Sequence, residues 1–146
     1  MKTPTIQLFL GSEGIKAAYE LTLASTSMDI KCLSSRYVDV VGNYFDDDYW
    51  PRVLKSSIKT REIILNSETG RTYASKLGGS KGEAKNQVAF VEKSLQSESD
   101  FIVLDDAILL ISYNTQSPFA VYIHDEETTK SMKVQFDLMW SRADKA

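Results

Sequence analysis

Apolar and polar positions along this chain follow two periods, and the switches between them mark its elements. Ile6 to Leu10 is a short apolar run ended by Gly11, which predicts a buried strand. Ser12 is placed as the N-cap of a helix, with Glu13 near the positive end of its dipole. Ile15, Ala18, Tyr19, Thr22 and Leu23 then share one helical face. Met28 to Leu33 predicts a second strand, and Val41, Tyr44 and Phe45 keep helical spacing in a stretch that starts near Tyr37. Pro51 disfavours helix at Trp50, so the helical stretch breaks or restarts there and runs to about Ser57. Thr60 to Leu65 predicts a third strand, Thr72 to Leu77 a short helix, and Gln87 to Val91 another strand.

Two apolar runs, Phe101 to Leu104 and Ala107 to Ile111, flank Asp105 and Asp106, the pattern of a β-hairpin. Phe119 to Ile123 is the last predicted strand. Asp125 caps a closing helix whose Met132, Phe136, Met139, Trp140 and Ala143 form an apolar stripe, which must cover the sheet or a partner chain. The order of elements predicts parallel crossovers in the first half and antiparallel pairing in the second. That order describes an α/β fold, a mixed β-sheet with helices on both faces.

Composition narrows the function classes. The 146 residues suit one domain, 1–146, around one core. A hydrophobic share of 42% against 25% charged residues excludes a disordered chain. A net charge of -3 repels a phosphate backbone, so no direct nucleic-acid binding is expected. No apolar run approaches the ~18 residues of a membrane span, and the start Met1-Lys2-Thr3-Pro4 carries no signal-peptide cleavage pattern, so the expected location is the cytoplasm. The single cysteine, Cys32, reads as a small buried hydrophobe in a reducing compartment.

The run Leu8-Phe9-Leu10-Gly11-Ser12-Glu13-Gly14-Ile15 resembles the opening of the effector domain of TrmB-type transcription regulators. Arg61-Glu62-Ile63-Ile64, the hairpin from Ile102 to Ile111 and the ending Phe136-Asp137-Leu138-Met139-Trp140 resemble later blocks of that domain, in the same order over nearly the whole chain. The resemblance implies a phospholipase-D-like fold. Enzymes of that superfamily use a His-x-Lys motif with a downstream Asp: the His attacks phosphorus and the Lys stabilises the phosphate charge. With Asp106 as that Asp, the His and Lys places fall on Ser99 and Phe101; with Asp105, they fall on Glu98 and Asp100. The only histidine, His124, is followed by Asp125 and Glu126. The expectation is a chain that is not an enzyme, has no catalytic residues and needs no metal or cofactor. Family members carry a winged helix-turn-helix ahead of this domain, whereas here the first predicted strand starts close to Met1. The expectation is therefore a homodimer that reaches DNA through a helix-turn-helix regulator partner. The resemblance also implies a sugar-like small-molecule effector, although larger members tie sugar binding to a further C-terminal portion and this chain ends at Ala146.

Several residues are candidates for contacting such an effector. Gly11-Ser12-Glu13-Gly14 joins a strand to a helix N-terminus, where backbone N–H groups favour an anion; Ser12 and Glu13 are the candidate contacts, and a tight turn with a helix cap is the plainer reading. Tyr49-Trp50-Pro51-Arg52 sets aromatic rings beside a cation, so Trp50 and Arg52 are candidates for a sugar or an acidic group, against core packing of Trp50. Gly78 to Gly82 with Lys81 reads as a solvated loop, Asp46 to Asp48 as a charged helix start, Asp105 and Asp106 as ordinary exposed turn carboxylates, and His124 as a structural polar residue. Two rival readings are a protein-interaction scaffold without ligand and a residual hydrolase using other carboxylates.

Overall fold

The computed structural model describes residues 3–77 and 84–146, so the loop from Gly78 to Gly82 lies outside the described residues. Its strands are β1 (Thr5–Leu10), β2 (Ser27–Cys32), β3 (Lys59–Leu65), β4 (Asn86–Val91), β5 (Ser99–Val103), β6 (Ala107–Ser112), β7 (Phe119–His124) and β8 (Asp144–Lys145). Its helices are α1 (Gly11–Thr22), α2 (Tyr37–Val41), α3 (Trp50–Lys55), α4 (Glu68–Lys76) and α5 (Glu126–Arg142), with a π-helical turn at Tyr44–Tyr49 and a 3-10 turn at Lys93–Leu95. The strands form one sheet in the order β1-β7-β6-β5-β2-β3-β4-β8.

The two pairing regimes expected from the order of elements are both present. β2, β3 and β4 are mutually parallel, linked by helical crossovers. β5, β6 and β7 pair antiparallel through short loops. β2 joins the halves by pairing antiparallel with β5, so the α/β sheet is mixed as expected. β1 does not sit beside β2; it is the terminal strand, antiparallel to β7. β8, with no sequence signal beyond two polar residues, pairs antiparallel with β4.

Helices cover both faces, unequally. Ile15, Ala18 and Tyr19 of α1 pack with Trp50 and Val53 of α3 and with Met28, Ile30, Leu109 and Ile111 of the sheet in the larger core. On the other face α5 lies across β6, β5 and β2. Its apolar stripe lies on the sheet: Phe136 is fully buried against Leu33 and Ile63, flanked by Met139 and Trp140. Burial of one such aromatic side chain contributes roughly 1.5–3 kcal/mol. Asp125 caps α5 as expected, its carboxylate accepting from the Thr128 N–H at 3.0 Å. Arg61 fastens α5 from the sheet side. Its guanidinium holds Asp29 with two bonds of 2.8 and 2.9 Å, reaches Asp137 at 2.7 Å, and lies over the rings of Phe136 and Trp140.

Three local expectations are corrected. The first strand is not buried: Ile6, Leu8 and Leu10 are 71%, 62% and 69% exposed. An apolar run reports strand propensity, while burial depends on position in the sheet, and α5 does not extend over β1. Ser12 is not the N-cap, because Leu10 holds that place without a side-chain cap bond. Gly11, at φ +71°, turns the chain straight out of β1 while its N–H donates to the Pro118 carbonyl at 2.8 Å, which puts Ser12 inside the first turn. Gly14 then lets α1 lie on β1, since a Cβ there would come within 2.9 Å of the Phe9 backbone. The fourth helix begins at Glu68 rather than Thr72, because the Ser67 hydroxyl caps it by accepting from the Gly70 N–H at 3.0 Å. At Pro51 the chain restarts rather than stops: proline occupies the first turn of α3, where no N–H is needed.

Candidate functional site

Beyond the carboxyl ends of β2 and β3, the region where open α/β sheets bind ligands, lies a crevice of about 680 Å³. Cys32, Ser34 and Ser35 form one wall as the chain leaves β2, and Glu62, Ile64 and Leu65 of β3 form the floor. Ser67, Thr69, Gly70 and Tyr73 bring in the start of α4. Tyr37, Phe45 and Trp50 close the side, with the Phe45 and Trp50 rings stacked 5.6 Å apart and Tyr37 edge-on to Phe45 at 5.5 Å. Lys93 is the one basic residue among the described lining.

The polar chemistry centres on Glu62. It is 5% exposed, and the Tyr73 hydroxyl donates to its Oε1; the Trp50 Nε1–H in turn donates to the Tyr73 oxygen at 2.8 Å. Burial pushes the Glu62 carboxyl up to about 8, although the Tyr73 hydrogen bond favours the charged form. At neutral pH this group is largely a neutral carboxylic acid, with one O–H to donate and oxygens to accept. Burial, and then the Asp100 and Glu62 carboxyls, hold the Cys32 thiol well above its ordinary range, so it is not poised as a nucleophile.

Glu98 and Asp100, which occupy the His and Lys places in the Asp105 register, brace the wall of the crevice. Asp100 is buried and accepts from the Leu33 N–H at 2.9 Å and the Ser34 hydroxyl at 2.6 Å. Burial raises its carboxyl to about 6 against those bonds. Glu98 accepts from the N–H groups of Ser35 and Arg36 at 3.0 and 2.8 Å, while Gln96 bridges it to Ser35. Although partial burial opposes it, the bonds from Gln96, Arg36 and Ser35 hold the Glu98 carboxyl below its usual range. Both carboxylates are thus committed to shaping the loop at 33–36.

The candidate residues read from the sequence separate in space. Trp50 borders the crevice but is buried in the larger core, 5% exposed. Arg52 is exposed and engaged with Glu20 at 2.6 Å and Asp48 at 3.0 Å. Ser12 and Glu13 lie at the start of α1, outside the lining, with Glu13 paired to Lys16 at 3.3 Å. Asp105 is not an ordinary turn carboxylate: it ties the hairpin to the start of β2 through the Thr26 N–H at 2.8 Å and the Ser27 hydroxyl at 3.0 Å. Asp106 pairs with His124 at 3.1 Å. Pairing of Ala107 with His124, and of Ser99 with Ser112, places that histidine at the opposite end of the strands from the crevice. Asp46 falls in the π-helical turn and accepts from the Tyr37 hydroxyl at 3.1 Å. Among the described residues, no three or more His, Cys, Asp or Glu residues converge as a metal site, and no helix is long and apolar enough to cross a membrane. The residues missed by sequence reasoning are Glu62 and Tyr73. A lone acid within the otherwise apolar Glu62-Ile63-Ile64-Leu65 stretch was the available signal, since a charge in a central strand needs a partner.

No protein-family profile and no curated protein matches the chain. Solved structures do. TrmBL2, an archaeal chromatin protein with a novel mode of DNA binding, matches with a TM-score of 0.61 and 14% identity over 97% of this chain. The chain spans 55% of that protein. NucT from Helicobacter pylori matches with a TM-score of 0.67 and 14% identity, covering 99% of this chain and 100% of its own. Nuc from Salmonella typhimurium, a phospholipase D family member, matches with a TM-score of 0.66 and 11% identity, covering 99% of each chain. At these identities the likeness establishes architecture alone: the chain has the phospholipase-D-like fold.

Proposed function

We propose that the chain is a non-catalytic regulatory domain, related to TrmB-type regulators, that senses a neutral, hydroxyl-rich effector such as a sugar in the crevice at the ends of β2 and β3. The observation that carries this reading is the pairing of the half-buried Tyr37 and Phe45 rings with Glu62, a carboxyl that burial keeps largely neutral, in a cavity whose described lining holds one lysine, Lys93, and one aspartate, Asp46. Sugar hydroxyls need donors and acceptors without net charge, and their C–H faces pack on aromatic rings. Phosphodiester chemistry instead needs a nucleophile and a cationic clamp. Neither register supplies these, Ser99 and Phe101 with Asp106 or Glu98 and Asp100 with Asp105, and the latter two carboxyls are bonded to backbone amides. Effector binding would act through a homodimer on a helix-turn-helix partner, by favouring one of two states.

A panel of mono- and oligosaccharides in a thermal-shift assay tests the reading. One member at a hundredfold its Kd stabilises the fold by about 2.7 kcal/mol, and Tyr73→Phe with Glu62→Ala removes the shift. A panel that leaves the melting temperature unchanged returns the chain to the scaffold reading. Turnover of a phosphodiester in the presence of divalent metals would overturn the non-catalytic assignment.

A further inference from the structure

We propose that β1 is a self-pairing edge, through which two copies of the chain join their sheets antiparallel about a two-fold axis at Leu8. The proposal rests on the homodimer part of the preceding reading and is independent of what occupies the crevice. β1 ends the sheet, so one side of its backbone has no strand partner among the described residues. Exposed edges are normally blunted by lysine, proline or a bulge. Thr5–Leu10 contains none of these and carries no charge. Its register with β7 is unbroken over all six residues.

The hydrogen-bonding phase selects a partner strand. Gly11 N–H donates inward to Pro118. Alternation along an antiparallel ladder therefore turns Phe9, Gln7 and Thr5 toward β7, and directs the N–H and C=O groups of Ile6, Leu8 and Leu10 outward. The same three residues carry the exposed apolar side chains, on the face that α5 leaves uncovered. In a two-fold pair with Leu8 opposite Leu8 of the second copy, Ile6 opposes Leu10 in both directions. Every outward backbone group then finds a partner, and every apolar side chain meets another. A shift that centres the pair on Gln7 instead would bring Pro4, which has no N–H, opposite Leu10 and leave a carbonyl unpaired. Self-approach brings no like charges together on this strand.

Size sets the strength. An edge about 20 Å long and one sheet thick buries on the order of 500 Å² per copy, below the roughly 800 Å² per partner of a standard interface. The dimer is therefore concentration-dependent rather than obligate.

Light scattering after size exclusion, on wild type from low to high micromolar concentration, tests this. The mass should rise from one chain toward two. Leu8→Lys should stay monomeric throughout, and Val134→Lys, at an exposed apolar site on α5, should behave as wild type. Leu8→Cys in a Cys32→Ser background provides a second measurement should Leu8→Lys fail to fold. A hydrogen-bonded pair brings the two Cα atoms to about 5.5 Å, within disulfide range, so mild oxidation should cross-link the dimer. A wild type that stays monomeric overturns the proposal and the homodimer reading together, whether the edge then serves another strand or none. A dimer that survives Leu8→Lys, or fails to cross-link through Leu8→Cys, overturns the β1 surface alone.

Discussion

Glu62 and Asp100 share a feature with consequences for pH: both are carboxyls that burial holds above their ordinary range, to about 8 and about 6. Between the unfolded value of about 4 and the folded value, the folded chain keeps a proton that the unfolded chain releases, so stability falls by about 1.4 kcal/mol per pH unit for each such group. Above the folded value both states are ionised and the loss stops. The Glu98, Asp105 and Asp125 carboxyls, held low by hydrogen bonds, act in the opposite sense, and their effect is complete once the pH passes the ordinary carboxylate range. Urea midpoints should therefore decline from pH 5 to pH 8. Glu62→Gln keeps the acceptor for the Tyr73 hydroxyl and removes the titration. The variant should flatten the decline between pH 6 and 8, where Asp100 has largely titrated. An unchanged slope would mean that Glu62 does not keep its proton on folding.

At the scale of elements, α5 is held by the Arg61 cation as well as by its apolar stripe. Arg61 spans Asp29, Asp137 and the faces of Phe136 and Trp140. Asp29 is buried, so removing its partner strands a charge at a cost of about 3 kcal/mol. Arg61→Ala should lower stability by that order and speed hydrogen exchange in α5 more than in β6 and β7. Arg61→Lys should recover only part, because an ammonium cannot keep the two-pronged bond to Asp29 while lying flat on the rings. Equal loss of protection in α5 and β7 would point to global destabilisation instead. The stripe on α5 was legible in the sequence because helical periodicity survives any packing. The role of Arg61 was not, since its partners come from β2 and from a helix far along the chain.

At the scale of the molecule, the β1 edge links folding to assembly. If the edge pairs copies, unfolding is linked to concentration, because only the folded chain dimerises. The melting temperature should then rise by about 2 °C per tenfold increase in concentration for a dimer of this size. Leu8→Lys should abolish that dependence without changing the value at the lowest concentration. A concentration-independent wild type would count against pairing through any surface.

Local patterning by itself determined the order of elements up to α5, the mixed α/β sheet, the cap at Asp125 and the hairpin around Asp105, because backbone periodicity and turn chemistry act over a few residues. That neither possible register of the motif holds a His or a Lys was also legible there. Only the tertiary structure decided that Glu98 and Asp100 brace a crevice wall, that Glu62 is buried against Tyr73 and Trp50, and that β1 lies at an edge rather than in the core. These outcomes depend on which strands become neighbours. Pairing partners as distant as Thr5 and His124 are chosen by the packing of whole layers, which no local window of sequence encodes.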